Sequence, residues 1–161
     1  MEVRALGAAD RPWVRERVEK VWGSPTVVSR GRVHRPETLP GLAALRGGGR
    51  VGLLTYRVED RSCEVVTLQA VIEGVGIGSA LLEALGREGR ARGWQRIWLV
   101  TTDDNARAIR FYEARGFRRV AVHRDAVAKS RELKPEIPER ARDGTPIRDE
   151  LEFELALGDP G

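Results

Sequence analysis

The sequence predicts an α/β fold: a mixed, mostly antiparallel sheet of six or seven strands with helices on both faces. Three observations lead there. Residues 65–117 run as an apolar strand, a turn with glycines at alternate positions (Gly74, Gly76, Gly78), a helix-period segment, a second apolar run and a second helix-period segment ending at Gly116. Residues 50–58 and 63–72 are β-rich runs joined by the polar Glu59-Asp60-Arg61-Ser62, which reads as an antiparallel hairpin. Near the C-terminus, Leu151, Phe153, Leu155 and Leu157 alternate with Glu150, Glu152 and Glu154, the pattern of a half-buried strand with its acids turned to solvent.

Taken in order, Val3 to Leu6 is a short strand. Asp10 is an expected N-cap with Pro12 in the first helical turn. Val14, Val18, Val21 and Trp22 share one face of that helix, which Gly23 ends. Thr26 to Ser29 is a short extended piece. Residues 30–45 are broken by Gly31, Pro36, Pro40 and Gly41, with one or two helical turns expected over Leu39 to Leu45. After the hairpin, the glycine-led helix carries Ile77, Leu81, Leu82 and Leu85 on one face to a stop at Gly93. Arg96 to Thr102 is apolar at consecutive positions, as in a strand buried on both faces. Asp103 or Asp104 caps the next helix, whose buried stripe is Ala108, Ile109, Phe111 and Tyr112. Phe117 to His123 is another strand. A single domain spans residues 1–161, with a flexible loop at about 125–149 and a tail at 158–161.

Composition narrows the function. In 161 residues, 28 Lys and Arg against 24 Asp and Glu give a net charge of only +4, which suits a phosphorylated ligand and argues against nucleic acid. The single cysteine, Cys63, excludes an intramolecular disulfide and a four-cysteine zinc site, and reads as a small buried hydrophobe. No metal site is expected. No apolar run has the length of a signal peptide or a membrane span, so a cytoplasmic location is expected. The four tryptophans, Trp13, Trp22, Trp94 and Trp98, read as packing residues.

The glycine turn feeds a helix N-terminus, where unpaired N–H groups and the helix dipole favour an anion. Taken alone, it leaves a phosphate, a dinucleotide and a plain tight turn open. The dinucleotide fingerprint wants Gly or Ala at its sixth position, where this chain has Ser79 counted from Gly74 or Leu81 counted from Gly76.

The segment Asn105-Ala106-Arg107-Ala108-Ile109-Arg110-Phe111-Tyr112-Glu113-Ala114-Arg115-Gly116-Phe117 narrows the choice. It resembles the N-x-x-A-x-x-F-Y-x-x-x-G-F signature of the GNAT acyl-CoA N-acyltransferases. Gly76-Ile77-Gly78-Ser79-Ala80-Leu81-Leu82 looks like that superfamily's pyrophosphate loop, at the matching separation. Beyond these motifs, WGSPTVVSRGRVH, LPGLAAL, TTDDN, HRDAV, KPEIP and DGTPIRDELEFEL look like a bacterial subfamily over nearly the whole chain.

The resemblance implies a strand pair, ending near Ile72 and at Ile97 to Thr101, that splays to admit pantetheine. It implies acetyl-CoA as acyl donor, an amine of a small molecule or peptide as acceptor, and direct attack in a ternary complex. Val75, Gly76, Ile77, Gly78 and Ser79 would hold the pyrophosphate through their amides. Backbone groups of Leu68, Ala70 and Val71 would bond pantetheine, with Asn105, Ala108 and Phe111 also lining the cofactor. Tyr112 would protonate the leaving thiolate, and Glu64 is the first candidate for the base. His34, His123, Asp149 and Glu150 are further candidates. Glu73 departs from the Arg or Gln common at its position. A monomer or homodimer is expected. The alternatives are a non-catalytic acyl-CoA sensor and a nucleotide or dinucleotide binder using the same turn.

Overall fold

The computed structural model describes residues 1–158. Of the expected tail, residues 159–161 lie outside the described residues. Nine strands and four α-helices follow one another: β1 (Glu2–Ala5), α1 (Arg11–Trp22), β2 (Val27–Ser29), β3 (Arg32–His34), β4 (Gly41–Arg46), β5 (Gly49–Glu59), β6 (Ser62–Ala70), α2 (Ile77–Arg92), β7 (Arg96–Thr102), α3 (Ala106–Ala114), β8 (Arg118–His123), α4 (Ala126–Leu133) and β9 (Glu150–Ala156). Seven strands form one mostly antiparallel sheet in the order β1-β4-β5-β6-β7-β9-β8, and β2 and β3 form a separate two-stranded sheet.

The chain groups into two units. One comprises Met1–Val27, Arg35–Ile97 and the chain from Ala156; the other comprises Val28–His34 and Trp98–Leu155. In the first unit, β5 carries a helix on each face. Leu53 packs with Val14 and Val18 of α1, supported by Trp13, Trp22 and Val66. Its neighbour Gly52 lies against Ile77 and Leu81 of α2. Successive strand residues point to opposite faces, so α1 and α2 cover opposite sides. Trp94, 5% exposed, stacks edge-on against Tyr56 at 5.5 Å, as a packing residue should.

Several expectations are corrected. Leu39 to Leu45 forms no helix: Gly41–Arg46 is strand β4, paired with β1 and β5 along its length. The helix-forming Leu and Ala residues lose to ladder hydrogen bonds made with two neighbours at once, and propensity is a weak prior against that. Val21 is half exposed, off the face of α1 that Val14 and Val18 bury. Asp10 precedes α1 but makes no side-chain cap; its carboxylate instead accepts from Arg4, Arg50 and the Gly7 N–H.

In the second unit, Asn105, not Asp103 or Asp104, caps α3, accepting the Ala108 N–H at 3.2 Å. The loop expected at 125–149 contains α4. Beyond that helix, Arg131 ties the chain down by donating to the carbonyls of Ile137, Pro138 and Ile147. Strand β7 alternates buried and half-buried residues from Ile97 to Val100 rather than burying both faces equally.

Candidate active site

In the first unit, β6 leads through an exposed turn, residues 71–76, into α2. Thr55 pairs with Thr67 and Tyr56 with Val65, which leaves Val66 as the extra residue of a bulge in β6. Bulges re-aim a strand and are frequent beside active sites. Past the bulge, the Val71 N–H donates to the Val51 carbonyl at 2.8 Å. In an antiparallel ladder such bonded positions alternate. Val71, Gln69 and Thr67 therefore turn their backbone groups toward β5, and Leu68 and Ala70 turn theirs to the opposite edge. Of the three residues expected to bond pantetheine, Leu68 and Ala70 turn their backbone groups to the side of β6 away from β5, while the amide of Val71 is already used.

Gly74 (φ 79°) and Gly76 (φ 78°) both adopt the left-handed conformation that a side chain disfavours. A Cβ at either would meet nothing within 4 Å, so the space over the turn is open. Gly76 is the N-cap of α2 and brings no side-chain cap, and the first turn holds no acid. The helical ladder starts with Ala80 donating to the Gly76 carbonyl at 3.0 Å, and the amides of Ile77 and Gly78 precede it. Gly78 lies inside the helix. Ile77 is 1% exposed and anchors the turn to the core. Glu73 is exposed in the turn.

Glu64 sits on β6 directly opposite Arg57 of β5, and its Oε1 accepts from Arg57 Nε at 2.8 Å. The acid is 2% exposed, so it is a buried ion-pair member rather than a strand-end acid in water. Gln69, 9% exposed, accepts from Arg17 Nε at 2.9 Å through Oε1, while its Nε2 is buried without a hydrogen-bond partner. Cys63 is fully buried, and burial pushes its thiol up to about 12, as befits an inert core residue.

In the second unit, α3 carries Asn105, Ala108, Phe111 and Tyr112. The stripe of Ala108, Ile109, Phe111 and Tyr112 is half-buried rather than buried. Asn105 spends its Oδ1 on the cap, leaving the amide nitrogen as the end of the side chain outside that bond. The Tyr112 ring packs edge-on between Phe111 (5.3 Å) and Phe117 (5.6 Å). Burial pushes its phenol up to about 12, so it holds its proton throughout the neutral range.

The remaining acceptor-side candidates also lie in this unit. His34 is buried with Nε2 2.9 Å from Ser29 Oγ, and His123 lies 3.0 Å from Glu152. Asp149 accepts the Asp125 N–H through Oδ1 and the Asp103 N–H through its carbonyl. Glu150, expected on the solvent face of its strand, is 4% exposed. Neither its burial nor the lone Nε2 of Gln69 is signalled by the period of its strand; only the partners, far off in sequence, create them.

The sequence profile described as the acetyltransferase (GNAT) family matches residues 10–117. The uncharacterized protein YdhI of Bacillus subtilis (strain 168) is 43% identical over 139 residues, covering 86% of this chain and 87% of that protein. The ribosomal-protein-S18-alanine N-acetyltransferase of Escherichia coli superposes with a TM-score of 0.69 at 20% identity, over 99% of this chain and 96% of the other. The protein yncA of Salmonella typhimurium, solved with its cofactor acetyl-CoA, also gives 0.69, at 18% identity over 99% and 95% of the two chains. The profile covers the glycine turn and the Asn105 to Phe117 segment together, and the chain belongs to the acetyltransferase (GNAT) family.

Proposed function

We propose that this protein transfers the acetyl group of acetyl-CoA to a primary amine of a small molecule or peptide, by direct attack in a ternary complex. The observation that carries this reading is the uncapped start of α2, reached through two left-handed glycines over open space and free of acids in its first turn. An anion of pyrophosphate size is what such a start accommodates. The main-chain donors of this turn fit the cofactor's pyrophosphate. The amides of Val75 to Ser79 hold the pyrophosphate. The outward backbone of Leu68 and Ala70 bonds the pantetheine arm, and one of these N–H groups polarises the thioester carbonyl. Asn105, Ala108 and Phe111 are further cofactor-lining residues in this reading.

The cofactor supplies an acetyl carbon activated as a thioester. The protein supplies proximity, which converts a bimolecular step into an internal one, and the handling of protons. The amine nitrogen sheds one proton as its electron pair forms the C–N bond. The C–S bond breaks and its electron pair leaves with sulfur, toward which Tyr112 donates its phenol proton. Glu64 is the base in this reading, directly or through water. Arg57 Nε, 2.8 Å from its Oε1, holds the carboxylate in place.

Calorimetry with acetyl-CoA, CoA and NAD tests the donor site. Binding of NAD without CoA overturns the reading in favour of a dinucleotide binder. Thiol release over a panel of primary amines then tests turnover, and CoA binding without release from any amine leaves a sensor.

A further inference from the structure

Glu150 opens β9 opposite His123 and is 4% exposed. Its Oε2 accepts the main-chain N–H of Arg30 at 3.1 Å, and its Oε1 is buried with no hydrogen-bond partner. A carboxylate only accepts hydrogen bonds, at about four lone-pair positions, and a buried one is normally satisfied. The contrast with Asp10, 2% exposed, is direct: its two oxygens receive Arg4, Arg50 and the Gly7 N–H. A carboxylate kept to hold the fold together has its donors in the chain. The oxygen of Glu150 does not, so its missing donor comes from outside.

The group that bonds Glu150 Oε2 belongs to a small hairpin. Arg30 (φ 49°) and Gly31 (φ 72°) are both left-handed, the geometry of a two-residue turn between β2 and β3. Arg30 is a strained choice there, since a residue with a Cβ disfavours that region, and such strain gathers at working sites. Segment Val28–His34 groups with the unit that holds Glu150 rather than with its neighbours in sequence. One main-chain hydrogen bond ties the turn to the carboxylate.

We infer that Glu150 Oε1 is the acceptor-binding group: it receives an N–H of the acceptor's amine, and the amine reaches it when the Arg30–Gly31 turn lifts. This rests on the acetyl-transfer reading above and adds the residue that selects amines. A primary amine supplies the donor that the buried oxygen lacks; an alcohol, with one O–H and no positive charge, supplies a weaker one.

The test is steady-state thiol release with acetyl-CoA and the best acceptor from a panel of ethanolamine, tyramine, lysine, spermidine and an alanine-led tripeptide. The hydroxyl analogue of that acceptor serves as a competitive inhibitor. In Glu150→Gln, KM for the amine rises about 10- to 100-fold, the loss of one hydrogen bond to a charged group. KM for acetyl-CoA stays within twofold, and the preference for the amine over its hydroxyl analogue shrinks by the same factor. Glu150→Asp, which keeps the charge, retains more of the preference than Glu150→Gln, and carries the test if the amide variant does not fold. An active wild type whose KM for the amine is unchanged by Glu150→Gln overturns the assignment and leaves acetyl transfer standing. Equal weakening of amine and hydroxyl analogue makes Glu150 structural and also overturns it. A wild type that binds no CoA and releases no thiol with any amine overturns both readings.

Discussion

Removing the Tyr112 hydroxyl tests the proton-donor role most directly. In Tyr112→Phe the ring keeps its edge-on contacts with Phe111 and Phe117, so packing is conserved and only the O–H is lost. The size of the effect follows from the phenol's acidity. At about 12, it is a weaker acid than a free thiol, which titrates near 8.5. Complete proton transfer to the thiolate is then uphill by about 3.5 pK units, or about 5 kcal/mol. In the proposed reaction Tyr112 is therefore expected to act by hydrogen bonding to sulfur as its charge develops, before any completed proton transfer. Losing a hydrogen bond to a charged group costs about 1.5–3 kcal/mol, which lowers kcat about 10- to 150-fold. The assay is thiol release at saturating acetyl-CoA, with Kd for CoA by calorimetry and Tm as controls. Both controls are expected to stay near wild type, and no basic limb from Tyr112 is expected in kcat below about pH 10. The raised pKa has its own signature: the folded state holds the phenol proton more tightly than the unfolded chain. Stability owed to it is full below pH 10 and falls as pH rises toward 12. A change in kcat under threefold removes Tyr112 from the chemistry. A loss near 10⁴-fold means full transfer and refutes the argument from acidity.

Three further outcomes check the architecture behind the site. In Gly52→Ala the new Cβ would run into Ile77 Cγ2, at the first residue of α2, costing about 1–3 kcal/mol of stability; a lower Tm together with weaker CoA binding is expected, and unchanged CoA affinity separates this contact from the anion site. Asp10→Ala should cost about 2–3 kcal/mol, below the full value for breaking a buried pair because Arg4 and Arg50 remain 38% and 35% exposed. The hydrogen bond from Arg4, and those from Gly7 and Arg50, hold the Asp10 pKa well below the usual carboxylate range, so this stability is present above about pH 4 and lost as pH falls toward the folded value; a wild-type and variant difference that does not narrow in acid contradicts it. Cys63, buried and shifted to about 12, should resist iodoacetamide at pH 8 in the native protein and react in urea; rapid native labelling contradicts its place in the core.

The parts of the fold that were legible in the sequence are those whose signals are local. The α2 helix is written in its glycine turn and in Ile77, Leu81, Leu82 and Leu85, all of them buried. Strand β7 matches its apolar run at both ends, Arg96 and Thr102. Where a segment's fate is set by neighbours, the sequence misleads. Gly41–Arg46 has the composition of a helix, yet two flanking strands recruit it. Helix α4 buries only Ala126, Val127 and Ser130, and its start is secured by the Val127 N–H bonding the Arg148 carbonyl rather than by a capping side chain. A stripe that thin, with no cap, leaves little periodicity to detect.

The same division separates the two substrates. A donor bound through main-chain amides needs a short run of glycines and a helix start, and both are contiguous in sequence, so the motif and the site are one object. An amine must be recognised by a side-chain acceptor whose strength depends on which of its lone pairs the fold leaves empty. For Glu150 that is decided by Arg30, 120 residues away, which fills Oε2 and not Oε1. For Glu64 it is decided by Arg57 across the hairpin. By sequence pattern the two glutamates differ little, one on a mid-chain strand and one at the head of an alternating strand. By hydrogen-bond satisfaction they part: the first already has a guanidinium partner, and the second has an oxygen held ready. On the proposal that Glu150 binds the acceptor, acceptor choice rests on long-range pairing, and the decisive measurement is the comparison of Glu64→Gln with Glu150→Gln on KM for the amine. A larger rise in the first than in the second would reverse the order argued from their partners.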